Sequence, residues 1–258
     1  MADREYAEAR AGHLATRSAA GLVDFSFMGH FEVSGPRARA FLERLQTRNL
    51  AQLAAGRICY TLLLRDDGSV FNDATLWCLA LERYWLFTGR PGDVDWIQAC
   101  QSAEESMLEL LSGQFYIIAL QGPRAFDMVR SVLAGPPRYF AFTRAEVAGV
   151  PAWIARLGYS GEQGVEILVP DAAGAAAWQA LMQPGVCACS FETADSLRIG
   201  SGSRIVRACR STIRRACCRG SLPRSCGVRS TTARIAAIAV SIPRNARSPK
   251  AHRCPRAV

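Results

Sequence analysis

The sequence predicts an α+β fold in which antiparallel sheets are flanked by helices. Three observations carry that prediction. Strand-like segments come in neighbouring sets joined by short turns, the mark of hairpins rather than crossover connections. The order helix–strand–strand–helix occurs in the first half of the chain and again in the second, although no sequence repeat is detectable. A glycine-rich phosphate loop and a dinucleotide fingerprint are both missing, which argues against a doubly wound parallel sheet.

Residues 5–19, rich in Ala, Glu and Arg, read as a helix, and 21–33 read as extended chain. Ser34-Gly35-Pro36 starts a second helix, with proline near its first turn, where its missing N–H costs nothing. Ala38, Phe41, Leu42 and Leu45 then fall on one helical face. Arg57–Arg65 and Val70–Cys78 form a hairpin around the turn Asp66-Asp67-Gly68-Ser69, and Arg83–Gly89 adds a strand. A helix is expected over Asp93–Leu111, on the spacing of Trp96, Ile97, Cys100, Met107 and Leu111. The pattern then restarts: a strand at Phe115–Leu120, a helix opened by Gly122-Pro123 and running through Leu133, and strands near 144–149, 151–157 and 164–169. Pro170-Asp171 begins an Ala-rich helix to about Met182, and a short helix covers Phe191–Ile199.

The net charge of +9 is located almost entirely at one end. Residues 201–258 hold 13 Arg and one Lys and no acid, leaving 17 basic against 22 acidic groups in residues 1–200. The expected organisation is therefore a globular region over 1–200 and an Arg/Cys/Ser-rich tail over 201–258, either disordered or the product of a frame change in GC-rich coding DNA. The competing reading of the tail is a basic arm for nucleic acid; the absence of interleaved aromatic and glycine residues argues against it. No apolar run approaches the roughly 18 residues of a membrane span. The charged start of the chain lacks a secretory apolar stretch, so a cytoplasmic location is expected. Of the ten cysteines, Cys59, Cys78, Cys100, Cys187 and Cys189 lie in the first region, mostly in apolar segments that suit buried thiols. Neither they nor His13 and His30 offer metal-ligand spacing, and no metal is expected.

Several segments, in order and spacing, resemble the folate-binding aminomethyltransferase family, the T-protein of the glycine cleavage system and its relatives. They are Gly21-Leu-Val-Asp-Phe-Ser-Phe-Met-Gly29, Phe31-Glu-Val-Ser-Gly-Pro36, Tyr60-Thr-Leu-Leu-Leu-Arg-Asp-Asp-Gly68, Val70-Phe-Asn-Asp73, Ala119-Leu-Gln-Gly-Pro123, Arg156-Leu-Gly-Tyr-Ser-Gly-Glu-Gln-Gly-Val-Glu166 and Asp195-Ser-Leu-Arg198. The resemblance covers about 20–200 and implies a T-protein-like folate-binding fold, here without the C-terminal barrel of the family. It implies tetrahydrofolate-dependent transfer of an aminomethyl or methyl group, from a small molecule or a carrier protein, with tetrahydrofolate as cofactor. Activity in this shortened form is not assured by the resemblance. The alternative it allows is a non-catalytic folate-binding scaffold akin to iron–sulfur cluster maintenance proteins.

By position in the motifs, the resemblance implies Asp73 as the catalytic residue, orienting or deprotonating the folate nitrogen. It implies Glu166 as the pterin-binding carboxylate, with Met28, Tyr60, Tyr139 and Tyr159 as further folate contacts. Thr88 stands where the family often has asparagine, and Ala194 where an arginine often precedes the Asp195 position. On chemistry alone the readings stay open. Asp73 shares an alternating strand face with Phe71, Thr75 and Trp77, so it is either a solvent-facing acid or a carboxylate that needs compensation. Glu166 is either an exposed strand residue or a two-point hydrogen-bond acceptor. Gly158, Gly161 and Gly164 suit tight turns and close backbone approach. The tyrosines and Met28 suit a core as well as a flat slot.

Overall fold

The computed structural model describes residues 2–101, 106–131 and 135–200; the tail 201–258 that the sequence sets apart lies outside the described residues. In chain order the elements are α1 (Ala2–Ser18), β1 (Ala20–Asp24), β2 (Gly29–Ser34), α2 (Ala38–Leu45), β3 (Ile58–Leu64), β4 (Val70–Ala80), β5 (Arg83–Thr88) and α3 (Val94–Ala99). They continue with β6 (Met107–Leu110), β7 (Phe115–Gln121), α4 (Ala125–Met128), β8 (Phe142–Val147), β9 (Val150–Ala155), β10 (Gly164–Pro170), α5 (Gly174–Leu181), β11 (Val186–Cys189) and α6 (Phe191–Gly200).

The strands form two open sheets, one of order β11-β1-β7-β10-β9-β8 and one of order β3-β4-β5-β2-β6. Apart from the parallel ladder between β1 and β11, the described pairings are antiparallel. The expected α+β class with antiparallel sheets is what the chain adopts, and neither sheet closes into a barrel.

Strand alternation sorts the side chains into three apolar layers. Val23, Ile117, Ala119 and Leu168 of the larger sheet meet Ile58, Trp77, Trp85 and Phe87 of the smaller one. The opposite face of the larger sheet packs Leu120, Ile154 and Ile167 against Met128 of α4 and Ala177 and Leu181 of α5. The opposite face of the smaller sheet packs Phe31, Leu63 and Leu76 against α2, whose Ala38, Phe41, Leu42 and Leu45 are buried as their spacing requires. At roughly 2 kcal/mol for each large apolar side chain buried, this sandwich fixes how far apart the two sheets stand.

Four local expectations change. The helix expected over Asp93–Leu111 ends at Ala99, and Met107–Leu110 is a strand on the edge of the smaller sheet, paired with Phe31–Ser34 of β2. Of the residues whose spacing suggested the helix, Met107 is exposed and Leu111 is buried between the sheets just past the strand, so ladder hydrogen bonding overrides their spacing. The helix expected through Leu133 is a single α-turn, Ala125–Met128, continued by a 3₁₀ turn over Val129–Ser131. The strand β11 has no counterpart in the sequence reading; its Cys-Ala-Cys stretch is too short for periodicity to mark. Phe71 does not share a face with Asp73. The β3–β4 register shifts between Leu63 and Leu64, and this bulge turns Phe71 to the helix side, where it stacks on Trp96 of α3 at 4.1 Å.

Candidate functional site

Between the two sheets the apolar layer is interrupted by a cavity of about 190 Å³. Its floor is Glu166, the third residue of β10. In register, Glu166 lies between Ala119 of β7 and Ala155 of β9. Two methyl side chains beside a long acid leave empty space above the strand, which is why a hollow opens here. Glu166 is only 5% exposed, and among the described residues nothing donates a hydrogen bond to its carboxyl. Burial pushes its pKa up to about 8.

The opposite wall comes from the smaller sheet. Asp73 sits on β4, half-buried, and accepts a hydrogen bond from the Tyr60 hydroxyl of β3 at 3.2 Å. Thr88 ends β5 and lines the cavity, and its hydroxyl donates to the Arg90 carbonyl at 3.0 Å. Met28 enters from the β1–β2 connection.

The side wall is the loop after β9. Gln121, buried at the end of β7, organises it: its amide donates to the Leu157 carbonyl at 3.2 Å and accepts from the Ser160 hydroxyl at 2.8 Å. This holds Tyr159 at the cavity, its ring stacked on Phe25 at 5.3 Å and 7°. Gly158 and Gly164 lie so close to Gln121 that a Cβ on either would overlap its side chain. Of the three glycines the sequence singled out, Gly158 and Gly164 are there for close approach, and Gly161, at φ 82°, takes a left-handed turn conformation.

The structure thus brings Met28, Tyr60, Asp73, Thr88, Tyr159 and Glu166 to one cavity. Tyr139 is not among them. It is 60% exposed, and its neighbour Phe140, in a left-handed conformation at φ 53°, lines the cavity instead. Phe27, Phe87, Leu157, Phe191 and Asp195 also line it. Phe27, Leu157 and Asp195 lie in segments that carry the resemblance but are not singled out there, and Phe87 and Phe191 carry no sequence signal, because an apolar ligand wall and an apolar core use the same side chains. Ala194, where the family often has arginine, is buried against the same region. His30 is buried among Trp85, Phe87 and Phe115, and His13 bonds Ser196 at 3.0 Å, so both are structural. Among the described residues no cluster of three or more His, Cys, Asp or Glu could hold a metal. No helix among them is long and apolar enough to cross a membrane.

Comparison with known proteins decides the family. The GCVT N-terminal domain matches residues 3–209. The chain belongs to this family. Among curated relatives, the aminomethyltransferase of Chloroherpeton thalassium is 35% identical over 201 residues, covering 74% of this chain and 55% of the relative. That of Chlorobaculum tepidum is 36% identical over 189 residues, covering 70% and 52%. Among solved structures, the glycine cleavage system aminomethyltransferase T of Bartonella henselae superposes with a TM-score of 0.66 at 28% identity, over 75% of this chain and 54% of that one. The chain thus spans about half the length of the relatives it matches, and that half is the GCVT N-terminal domain with its inter-sheet cavity.

Proposed function

We propose that the chain binds tetrahydrofolate in the inter-sheet cavity and serves one-carbon transfer, of an aminomethyl or methyl group, with Asp73 as the catalytic carboxylate. The observation that carries this reading is Glu166. A buried carboxyl that faces a hollow and has no donor among the described residues asks for a ligand bearing adjacent N–H groups, and the amino-pyrimidine edge of a pterin has them. The flat stack of Phe25 and Tyr159 beside it suits a planar ring system. Membership among aminomethyltransferases supports transfer rather than the non-catalytic scaffold.

Tetrahydrofolate supplies the nucleophilic ring nitrogens that accept the one-carbon unit. The chain's own residues orient and desolvate. Glu166 fixes the ring edge from one sheet. Asp73, on the facing sheet, accepts a proton at its carboxylate, while the Tyr60 hydroxyl holds that carboxylate in place. Met28, Phe87 and Phe140 exclude water from the reacting atoms. The donor is a small molecule or a carrier protein.

Calorimetric titration of the full chain with tetrahydrofolate, followed by single-turnover transfer from an aminomethyl donor, tests the reading. Weakened binding in the Glu166→Gln protein and transfer slowed by about 10²- to 10⁴-fold in the Asp73→Asn protein are expected. Equal affinity in the Glu166→Gln protein would overturn it.

A further inference from the structure

Asp73 of β4 stands opposite Leu62 of β3, but the two exchange no backbone hydrogen bonds. The Leu62 N–H donates to the Thr47 hydroxyl at 3.4 Å, and the Leu62 carbonyl accepts from the Thr47 N–H at 3.2 Å. In an antiparallel pair of this kind the opposite residue turns its own N–H the other way, here toward β5. The β4–β5 ladder begins only at the next residue, where Ala74 pairs with Thr88, the last residue of β5. Asp73 thus lies one step past the end of the neighbouring strand, and its N–H needs a partner from outside the ladder.

A side chain supplies it. The amide oxygen of Asn72 accepts from the Asp73 N–H at 2.9 Å, and the amide nitrogen donates to Oδ2 of Asp93 at 2.6 Å. Asp93 lies just before α3 and is 0% exposed; its Oδ1 accepts from Nε of Arg90 at 2.8 Å. The orientation of the Asn72 amide follows from these partners. A carboxylate only accepts and a backbone N–H only donates, so the NH₂ group must face Asp93 and the oxygen must face Asp73.

The bridge stands where β4 is irregular. Phe71 is the extra residue of the β3–β4 bulge and stacks on Trp96 of α3, while its neighbour Asn72 reaches Asp93. Two consecutive side chains are therefore tied to the same segment. A bulge re-aims the residue that follows it, and a slip of one residue there would turn Asp73 away from the cavity. Burying a carboxylate is costly unless its partners repay it. Neither Asp93 nor Asn72 lines the cavity, yet the chain of bonds that starts at Asp93 ends on the backbone of Asp73, which does.

We propose that Asp93 is a positioning residue for one-carbon transfer, acting through Asn72 on Asp73. The inference rests on the reading of Asp73 as the catalytic carboxylate. Tyr60 holds the outer end of the Asp73 side chain and the Asp93–Asn72 bridge holds its root. Ring binding is carried from the facing sheet by Glu166, so loss of the bridge slows transfer and spares affinity.

The test measures tetrahydrofolate affinity and single-turnover transfer from an aminomethyl donor on the full chain. Asp93→Ala is expected to slow transfer by at least about tenfold, the usual result of a displaced reacting group. Affinity is expected to stay within about twofold, which also shows that the variant is folded. Asp93→Asn, whose amide oxygen can still accept from Asn72, should restore most of the rate. In an Asp73→Asn background, Asp93→Ala should leave the residual rate nearly unchanged, because the bridge acts only through the Asp73 carboxylate. A wild-type rate in Asp93→Ala overturns the proposal. So does an equal fold-loss in both backgrounds, which a merely structural acid would give. If Asp93→Ala does not fold, Asn72→Ala, which removes the bridge and leaves Asp93 paired with Arg90, is read in the same way. A slow Asp73→Asn protein beside an unimpaired Asp93→Ala protein removes the positioning role alone. If Asp73→Asn keeps the wild-type rate, or the wild type transfers nothing, the catalytic reading fails, and hydrogen exchange at the Asp73 amide decides the bridge. Exchange faster by at least about tenfold in Asp93→Ala keeps Asp93 as the residue that places Asp73. Equal exchange removes it.

Discussion

The Tyr60 hydroxyl donates to Oδ2 of Asp73 at 3.2 Å, reaching diagonally across the β3–β4 hairpin, where Tyr60 pairs directly with Thr75 and Asp73 with Leu62. Diagonal neighbours on one sheet face lie within reach of an aromatic side chain. The contact therefore follows from the register of a hairpin whose turn is visible in the sequence. It gives the carboxylate a fixed orientation.

Asp73→Asn keeps the shape of that contact and removes the acceptor of a proton. Transfer is expected to fall by about 10²- to 10⁴-fold, the usual worth of a positioned acid–base group, with stability changed by about 1 kcal/mol or less because the side chain is only half-buried. Tyr60→Phe is expected to cost transfer less, by about tenfold, since the carboxylate remains and loses only its orienting bond. Single-turnover rates of the two variants check this. An Asp73→Asn protein as active as wild type would remove the residue from the chemistry.

How much of this is legible in the sequence differs by residue. Asp73, Tyr60 and Glu166 are polar residues on strands, and their motif spacing places them together. Tyr139 and Phe140 are not separable in sequence. The choice between them is made by a left-handed backbone at Phe140 (φ 53°) and by the bond from Ile58 to the Phe140 carbonyl, which turn Phe140 inward and Tyr139 out. The face of Phe71 escapes a reading by alternation because a bulge breaks the strict period and leaves no mark in composition. β6 is hidden because its edge pairing with β2 is a long-range contact, and its apolar residues imitate a helical stripe.

Two buried groups give stability opposite dependences on pH. Burial lowers His30 from 6.5 to about 3, so between those values the unfolded chain binds a proton that the folded one does not, and stability falls as pH drops. Burial raises Glu166 from 4.5 to about 8, so over that range the folded chain holds the extra proton, and stability falls as pH rises. Each slope is about 1.4 kcal/mol per pH unit. From these two groups, stability is level between 4.5 and 6.5, where the slopes cancel, and declines on both sides. Thermal unfolding of the ligand-free protein across pH checks this: Glu166→Gln should flatten the alkaline decline and His30→Phe the acid one. Neither nitrogen of the His30 ring has a partner among the described residues, so His30→Phe should also stabilise by about 1 kcal/mol at neutral pH. Unchanged limbs in both variants would count against the assignment.

Ligand binding should be linked to the same proton. An empty site holds Glu166 largely protonated at pH 7, and two ring N–H donors favour its ionised form. Tetrahydrofolate binding is therefore expected to release close to one proton at pH 7 and almost none at pH 9. Calorimetry in two buffers of different ionisation enthalpy measures that number, and Glu166→Gln should bring it near zero. Proton release that persists in the variant would assign the linkage to another group.

Gly158 tests whether the cavity wall depends on Gln121. A Cβ at Gly158 would overlap the Gln121 side chain, which holds the Leu157 carbonyl and the Ser160 hydroxyl on either side of Tyr159. Gly158→Ala must displace either the buried amide, leaving its hydrogen bonds unmade, or the loop that carries Tyr159. The first route costs about 1–3 kcal/mol of stability. The second loosens the ring stacked on Phe25 and enlarges the cavity. Either way pterin affinity should fall, while Gly149→Ala, at an open hairpin turn with nothing near its Cβ, should lower stability through its positive φ and leave the affinity of the folded protein intact. Chemical denaturation and ligand titration of the two variants separate these effects. If both lower stability alone, Gln121 supports the fold and not the wall of the site.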